Sequence, residues 1–406
     1  MQPAITLTNV VSLPETPPPA ARIARFTFDG SEELETRIDR ACQQALILLT
    51  DLFPEKKLEA ILLGGPHGRG EGGVLRTTLG EQPYDDLDLY VCLRGSHWWN
   101  HQTYRVVLQA AEEELAARTQ LSVRLRLISL RHWRRGPVTC ESHDLFMGHR
   151  WLRGNDAMLR GCERQRDACQ LPLSEATNLL LNAASDLLVA KEYVEHELMA
   201  VEHQDFISRS LARMRLALGD AVLTVYGRYH WDCRERRRRL RQFSPNRDLP
   251  WLQEVQRHHH EGVNYRLHPD PAQTAGAQAS ALHAELTALS LRLWLWLESR
   301  RLEQTFISAR DYAFSSANRC PEKKAWENYG ANVWLFGSEM VFNPAALRNP
   351  RERWMRALTL LLWEPAVLNE HAFLRVVQRD LQTYAATFDG LITSFQRFRA
   401  GFDRAV

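Results

Sequence analysis

"ILLGGPHGRGEGGVLRTTLGEQPYDDLDLYVCL", residues 61–93, decides how the rest of the chain is read. Seven glycines and the acids Asp85, Asp86 and Asp88 stand between two apolar runs, in a chain otherwise rich in Leu, Ala and Arg. "LEAILLGG" reads as a short buried strand ending in glycines, and "DDLDLYVCL" as a second strand. Side chains two residues apart leave a strand on the same face, so Asp86 and Asp88 share one side while Leu87, Leu89 and Val91 take the other. Like charges so placed repel unless a cation neutralises them, and hard carboxylate oxygens suit Mg²⁺ or Mn²⁺. Gly64 and Gly65 leave backbone amides uncovered, so phosphate oxygens can approach closely. A polar strand face is the blander account of any D-x-D, and a glycine turn without a ligand the blander account of the loop. The two in this order are more specific than either alone.

Working outward, residues 31–52 and 98–118 carry apolar positions at helical spacing, and "LSVRLRLISL", residues 121–130, alternates as a third strand. These elements form a small α/β domain over residues 23–160, preceded by a proline-rich extended arm over residues 1–22. From residue 172 strand signals nearly vanish. Ser174, after Pro172, opens a helix running to residue 200. Leu282, Leu286, Leu289, Leu293 and Leu297 mark another, and Asn349, Pro350 and Glu352 spell an N-cap, a first helical position and a capping box. Residues 161–406 therefore read as an α-helical domain. A long loop is expected over residues 243–275, with the histidines at 258–260 solvated in it, since three consecutive residues cannot all face one ion. "RERRRRLRQF", residues 234–243, reads as an exposed arginine-rich helix, and Trp98 and Trp99 as core or interface residues.

Composition sets outer bounds. With 45% hydrophobic residues, 12 Trp and 15 Phe, the chain can build a large core. A net charge of +2 gives no global electrostatic case for nucleic acid or a membrane surface. The seven cysteines form no CxxC pair, which is the expectation for reduced thiols and a cytoplasmic location. The first residues lack the basic start and apolar run of a signal peptide. Apolar stretches such as "LRLWLWL" fall short of the ~20 residues that span a bilayer, so no membrane segment is expected.

The "LGG" at 63–65 and "DLDL" at 86–89 resemble the pattern of the DNA polymerase β-like nucleotidyltransferase superfamily. "GGPHGRGE" also looks like a GG-x-GRGE variant of bacterial enzymes that uridylylate a nitrogen-regulatory protein. The resemblance covers about residues 58–130. It implies an α+β fold, with a small mixed-sheet domain followed by an all-helical one, and a Mg²⁺-dependent transfer of a nucleoside monophosphate from an NTP to a hydroxyl. The implied acceptor is a small molecule or a protein rather than a nucleic acid. On this resemblance Gly64 and Gly65 would hold the triphosphate, Asp86 and Asp88 would bind the metal and carry the chemistry, and Arg69, Glu71 and Arg76 would line the nucleotide site. Lys191, Arg209, Arg213, Tyr226 and His230 fall in helices that often complete such pockets.

The sequence departs from the pattern in two ways. The spacer from Gly65 to Asp86 is long, which implies an inserted hairpin around residues 77–83. Members that transfer nucleotides usually carry a third carboxylate on the next strand, where this chain has Arg124 and Arg126, neither of which can bind a metal. Glu141 or Asp144 could substitute if the chain folds back to the site. The alternative is a catalytically reduced relative that binds a nucleotide or a partner without turnover.

Overall fold

Helix α1 (Glu32–Leu52) starts where Ser31 accepts a hydrogen bond from the Leu34 amide, with Glu32, Glu33 and Glu35 complementing its positive end. Its buried stripe, Leu34, Ile38, Ala41, Cys42, Ala45 and Leu49, recurs at helical spacing and faces the sheet. The computed structural model describes residues 25–78, 80–194, 201–244, 247–273, 276–342 and 344–403. The arm expected over residues 1–22 lies outside them.

Strand β1 (Leu58–Leu63) leads into the one-turn helix α2 (Gly65–Arg69), then strands β2 (Val74–Thr77), β3 (Gly80–Pro83) and β4 (Leu87–Leu93). Helix α3 (His97–Thr119) crosses over to β5 (Val123–Ile128), and α4 (Leu130–Arg135) and α5 (Cys140–Met147) precede β6 (Arg150–Arg153). The main sheet has the order β5-β4-β1-β6; β4 and β5 run parallel and the other neighbours antiparallel, so the sheet is mixed. β2 and β3 form a separate hairpin, which begins at Val74, earlier than the hairpin expected around residues 77–83.

Alternation places Leu87, Leu89 and Val91 of β4, with Val123, Leu125 and Leu127 of β5, against α1 and α3. Tyr90, Cys92 and Ile128 face the other way, onto Leu145 and Phe146 of α5. The fourth strand, β6, has no counterpart in the sequence pattern: all four of its residues are half-buried, so no alternation marks it.

After β6 no strand follows among the described residues. Helices α6 (Leu173–Val194), α7 (Val201–Val225), α8 (Cys233–Arg241), α9 (Leu252–Leu267) and α10 (Gly276–Leu302) are followed by α11 (Ala309–Phe314), α12 (Ala325–Phe336), α13 (Pro350–Leu358), α14 (His371–Leu381) and α15 (Phe388–Asp403). Leu286, Leu289, Leu293 and Leu297 are fully buried in one large core shared by these helices. The chain is thus mixed α+β, with the sheet confined to its first part.

Two expectations are corrected. The loop expected over residues 243–275 contains α9, whose buried Leu252, Val255, His258, His259, Val263 and Leu267 follow helical spacing. His258 and His259 are therefore core residues, and the polar look of "RHHHEG" concealed their periodicity. Asn349 does cap α13, accepting from the Arg351 amide, but the buried Glu352 carboxylate turns to Arg319 and Arg348 instead of closing a capping box. All seven cysteines are free thiols. Among the described residues no helix is long and apolar enough to cross a membrane.

Candidate functional site

The turn after β1 is shaped by what lies against it. The Gly64 amide donates to the Asp88 carbonyl at 2.8 Å, which ties the turn to β4. Gly65 has φ +60°, a left-handed conformation that disfavours side chains, and a Cβ there would stand 2.4 Å from Asp88 Oδ2. A Cβ on Gly64 would stand 2.6 Å from the Tyr90 ring and 2.7 Å from Leu145. Both glycines are thus required by close approach, and Gly65 lies directly on the Asp88 carboxylate.

Asp86 sits one residue before β4 and Asp88 inside it, with Arg124 of β5 in register opposite Asp88. The Arg124 guanidinium donates to Asp86. Arg126 Nε lies 3.8 Å from Asp88 Oδ1, and its Nη1 donates to Glu141 Oε1 at 3.1 Å. Tyr90 donates its hydroxyl to the same Glu141 oxygen at 3.1 Å. The chain does fold back: α5 brings Glu141 to the strand acids, so three carboxylates and two guanidinia converge. Burial raises the Asp88 carboxyl above its ordinary range, only partly opposed by Arg126 and Arg124. Its Oδ1 is buried and accepts no hydrogen bond.

That orphaned oxygen is a feature a cation would satisfy. Yet each strand acid already faces a guanidinium, and a metal competes with the arginine for the same oxygens. The donor set does not fit a two-metal centre with its arginines in these positions.

The remaining sequence candidates are placed elsewhere. Arg69 and Glu71 pair with each other at 3.1 Å, and Arg69 also reaches Asp144 at 3.4 Å. Glu71 is fully buried, accepts from the Cys233 amide at 2.6 Å and lies 3.9 Å from Arg266. From the helical side Arg236 joins the same network, 3.1 Å from Asp220 and 3.8 Å from Asp144. Glu71, Asp232 and Cys233 could in principle surround an ion, but Glu71 is engaged as described and Asp232 caps α8 and pairs with Arg234 at 2.6 Å. Arg76 is a half-exposed hairpin residue, 3.1 Å from Asp29 and 3.3 Å from Glu81.

Of the helical candidates, Arg209 reaches the acidic stretch: it donates to the Tyr84 carbonyl at 3.2 Å and stacks on the Tyr84 ring. The Tyr84 hydroxyl in turn bonds to Asp205 at 2.8 Å and Tyr265 at 2.6 Å. Arg213 pairs with Asp186, Lys191 lies over Phe388, Tyr226 packs on Phe243, and His230 accepts from the Asp232 amide. Sequence reasoning missed Tyr84 and His67. His67 in α2 is fully buried with neither ring nitrogen bonded, and burial lowers its pKa while Asp85 opposes that shift.

The ionic network gives a pH signature. Burial pushes the Asp144 carboxyl up to about 6, against the pull of Arg69 and Arg236. An unfolded Asp titrates near ~3.9, so the folded state binds this proton more tightly, and the contribution to stability falls as pH rises from about 4 to about 6. Asp144→Asn removes that fall. The stability of the wild type relative to the variant, from urea denaturation, is expected to drop by about 2–3 kcal/mol between acid and neutral pH. A difference independent of pH would refute it. Comparison of the chain with protein-family models, with curated proteins and with solved structures returned no match.

Proposed function

We propose that the protein is a catalytically reduced, nucleotidyltransferase-like protein that binds the phosphates of a nucleoside triphosphate beside the Gly64–Gly65 turn and transfers its nucleotide slowly or not at all. One observation carries the reading: Arg124 and Arg126 occupy the strand carboxylates that a metal-dependent transferase keeps open. Arg124 is half-exposed and able to swing from Asp86 to a phosphate, where planar donors bind well. A second reading, the Mg²⁺-dependent transferase with a small-molecule or protein acceptor, is favoured by Glu141, which supplies a third carboxylate from α5.

Asp86→Asn combined with Asp88→Asn separates the two. In the binding reading, removing both negative charges frees the Arg124 guanidinium while Arg126 keeps Glu141, so NTP affinity rises several-fold and pyrophosphate release stays at background with or without Mg²⁺. In the transferase reading the same variant loses Mg²⁺-dependent NTP binding, and the wild type releases pyrophosphate. The half-exposed Asp86–Arg124 pair contributes about 0–1 kcal/mol, and the Asp88 Oδ1 replaced is a buried atom that accepts no hydrogen bond, so the fold should survive in either case. Loss of the fold would mean that the acids are structural.

A further inference from the structure

At the opposite end of β4 and β5 from the acids lie two cavities that no part of the proposed site uses. The first, of ≈ 390 Å³, opens at the carboxyl ends of these two parallel strands and is lined by His97, Ser129, Arg131, His132 and Arg135. Arg131 and Arg135 form no ion pair among the described residues, so their charge is uncompensated. The rings of His97 and His132 stack at 5.4 Å, and burial together with His132 and His101 lowers the His97 pKa. Among the described residues the cavity is lined by donors and by no carboxylate.

The second cavity, of ≈ 500 Å³, shares His97 as a wall and lies between α3 and the helical part of the chain. Its aromatic residues include Trp98 and Trp334, 57% and 56% exposed, with Gln102, Lys323 and Glu327 offering polar edges. Trp98 and Trp99, expected in a core or interface, stand in solvent, in mutual edge contact at 4.6 Å. An exposed indole beside a cavity of this size presents a stacking face.

We infer that the two adjacent cavities, which share His97 in their linings, bind a nucleoside monophosphate, with the phosphate among Arg131, Arg135 and His132 and the base against Trp98 and Trp334. This site is separate from the Gly65 turn, and it stands whether or not an NTP binds there. Calorimetric titration of the full-length protein with AMP, GMP, CMP and UMP in turn, and with adenosine and inorganic phosphate, tests it. At least one monophosphate should bind more tightly than either half-ligand. Arg131→Ala with Arg135→Ala should weaken it about tenfold or more, with adenosine binding unchanged. Trp334→Ala should weaken the monophosphate and the nucleoside together by about tenfold. All three positions are exposed, and circular dichroism verifies that the variants fold. No monophosphate binding tighter than inorganic phosphate would overturn the inference. So would affinities unmoved by these changes but lost in Arg124→Ala.

Discussion

Glu71→Ala is expected to lower the stability of the folded protein by about 3–5 kcal/mol, the usual cost of removing one partner from a buried ion pair. The Glu71 side chain has no solvent exposure, and its oxygens serve Arg69, Arg266 and the Cys233 amide. Without it Arg69 keeps Asp144, whereas the Cys233 amide is left buried without its acceptor. Glu71→Gln keeps an acceptor there and removes only the charge, so it should fall between the wild type and the alanine variant. The denaturation midpoint checks this. If the midpoint is unchanged while NTP affinity is lost, Glu71 belongs to the nucleotide site, as its place in "GRGE" implied.

The second large effect is at Gly65, where Gly65→Val should reduce NTP affinity by tenfold or more. The left-handed backbone costs an L-residue about 1–2 kcal/mol, and a β-branched one is a genuine outlier. The new Cβ also stands 2.4 Å from Asp88 Oδ2, with the Asp88 Cβ itself 3.1 Å away, so rotating the carboxylate relieves only part of the clash. Asp88 then moves relative to Arg126, and the amides beside the turn are covered. Gly65→Ala shares the backbone strain with a smaller side chain and should show the same change in lesser degree. Unchanged NTP affinity in a folded Gly65→Val protein would remove this turn from the site.

How far the sequence reaches is clear from particular residues. Leu87, Leu89 and Val91 alternate with Asp88 and Tyr90, and a period of two survives any packing detail, so β4 and its acid face were legible. Gly64 and Gly65 were legible as a pair requiring close approach, but the identity of the protein groups approaching them, Asp88, Tyr90 and Leu145, was not. Arg69 and Glu71, which the resemblance gave to the nucleotide site, are each neutralised inside the protein by partners far along the chain, and no local pattern reveals such pairing. α9 failed for a similar reason, because His259 is buried against Asp220 at 3.0 Å and so fills a position that hydrophobic periodicity counts as polar. Glu141 approaches Arg126 only through the fold-back of α5. A sequence shows that such an acid exists, but not that it arrives.

The network joining the glycine loop to α8 and α9, together with the Tyr84 hydroxyl shared by Tyr265 and Asp205, bears on where the protein can be divided. A boundary near residue 160 separates the sheet from the helices by topology, yet the charges of one half are balanced by groups of the other. A fragment cut there would carry Glu71 without Arg266 and Cys233, and Tyr84 without its partners. The two architectures are therefore expected to unfold together, in one thermal transition of the whole chain rather than two.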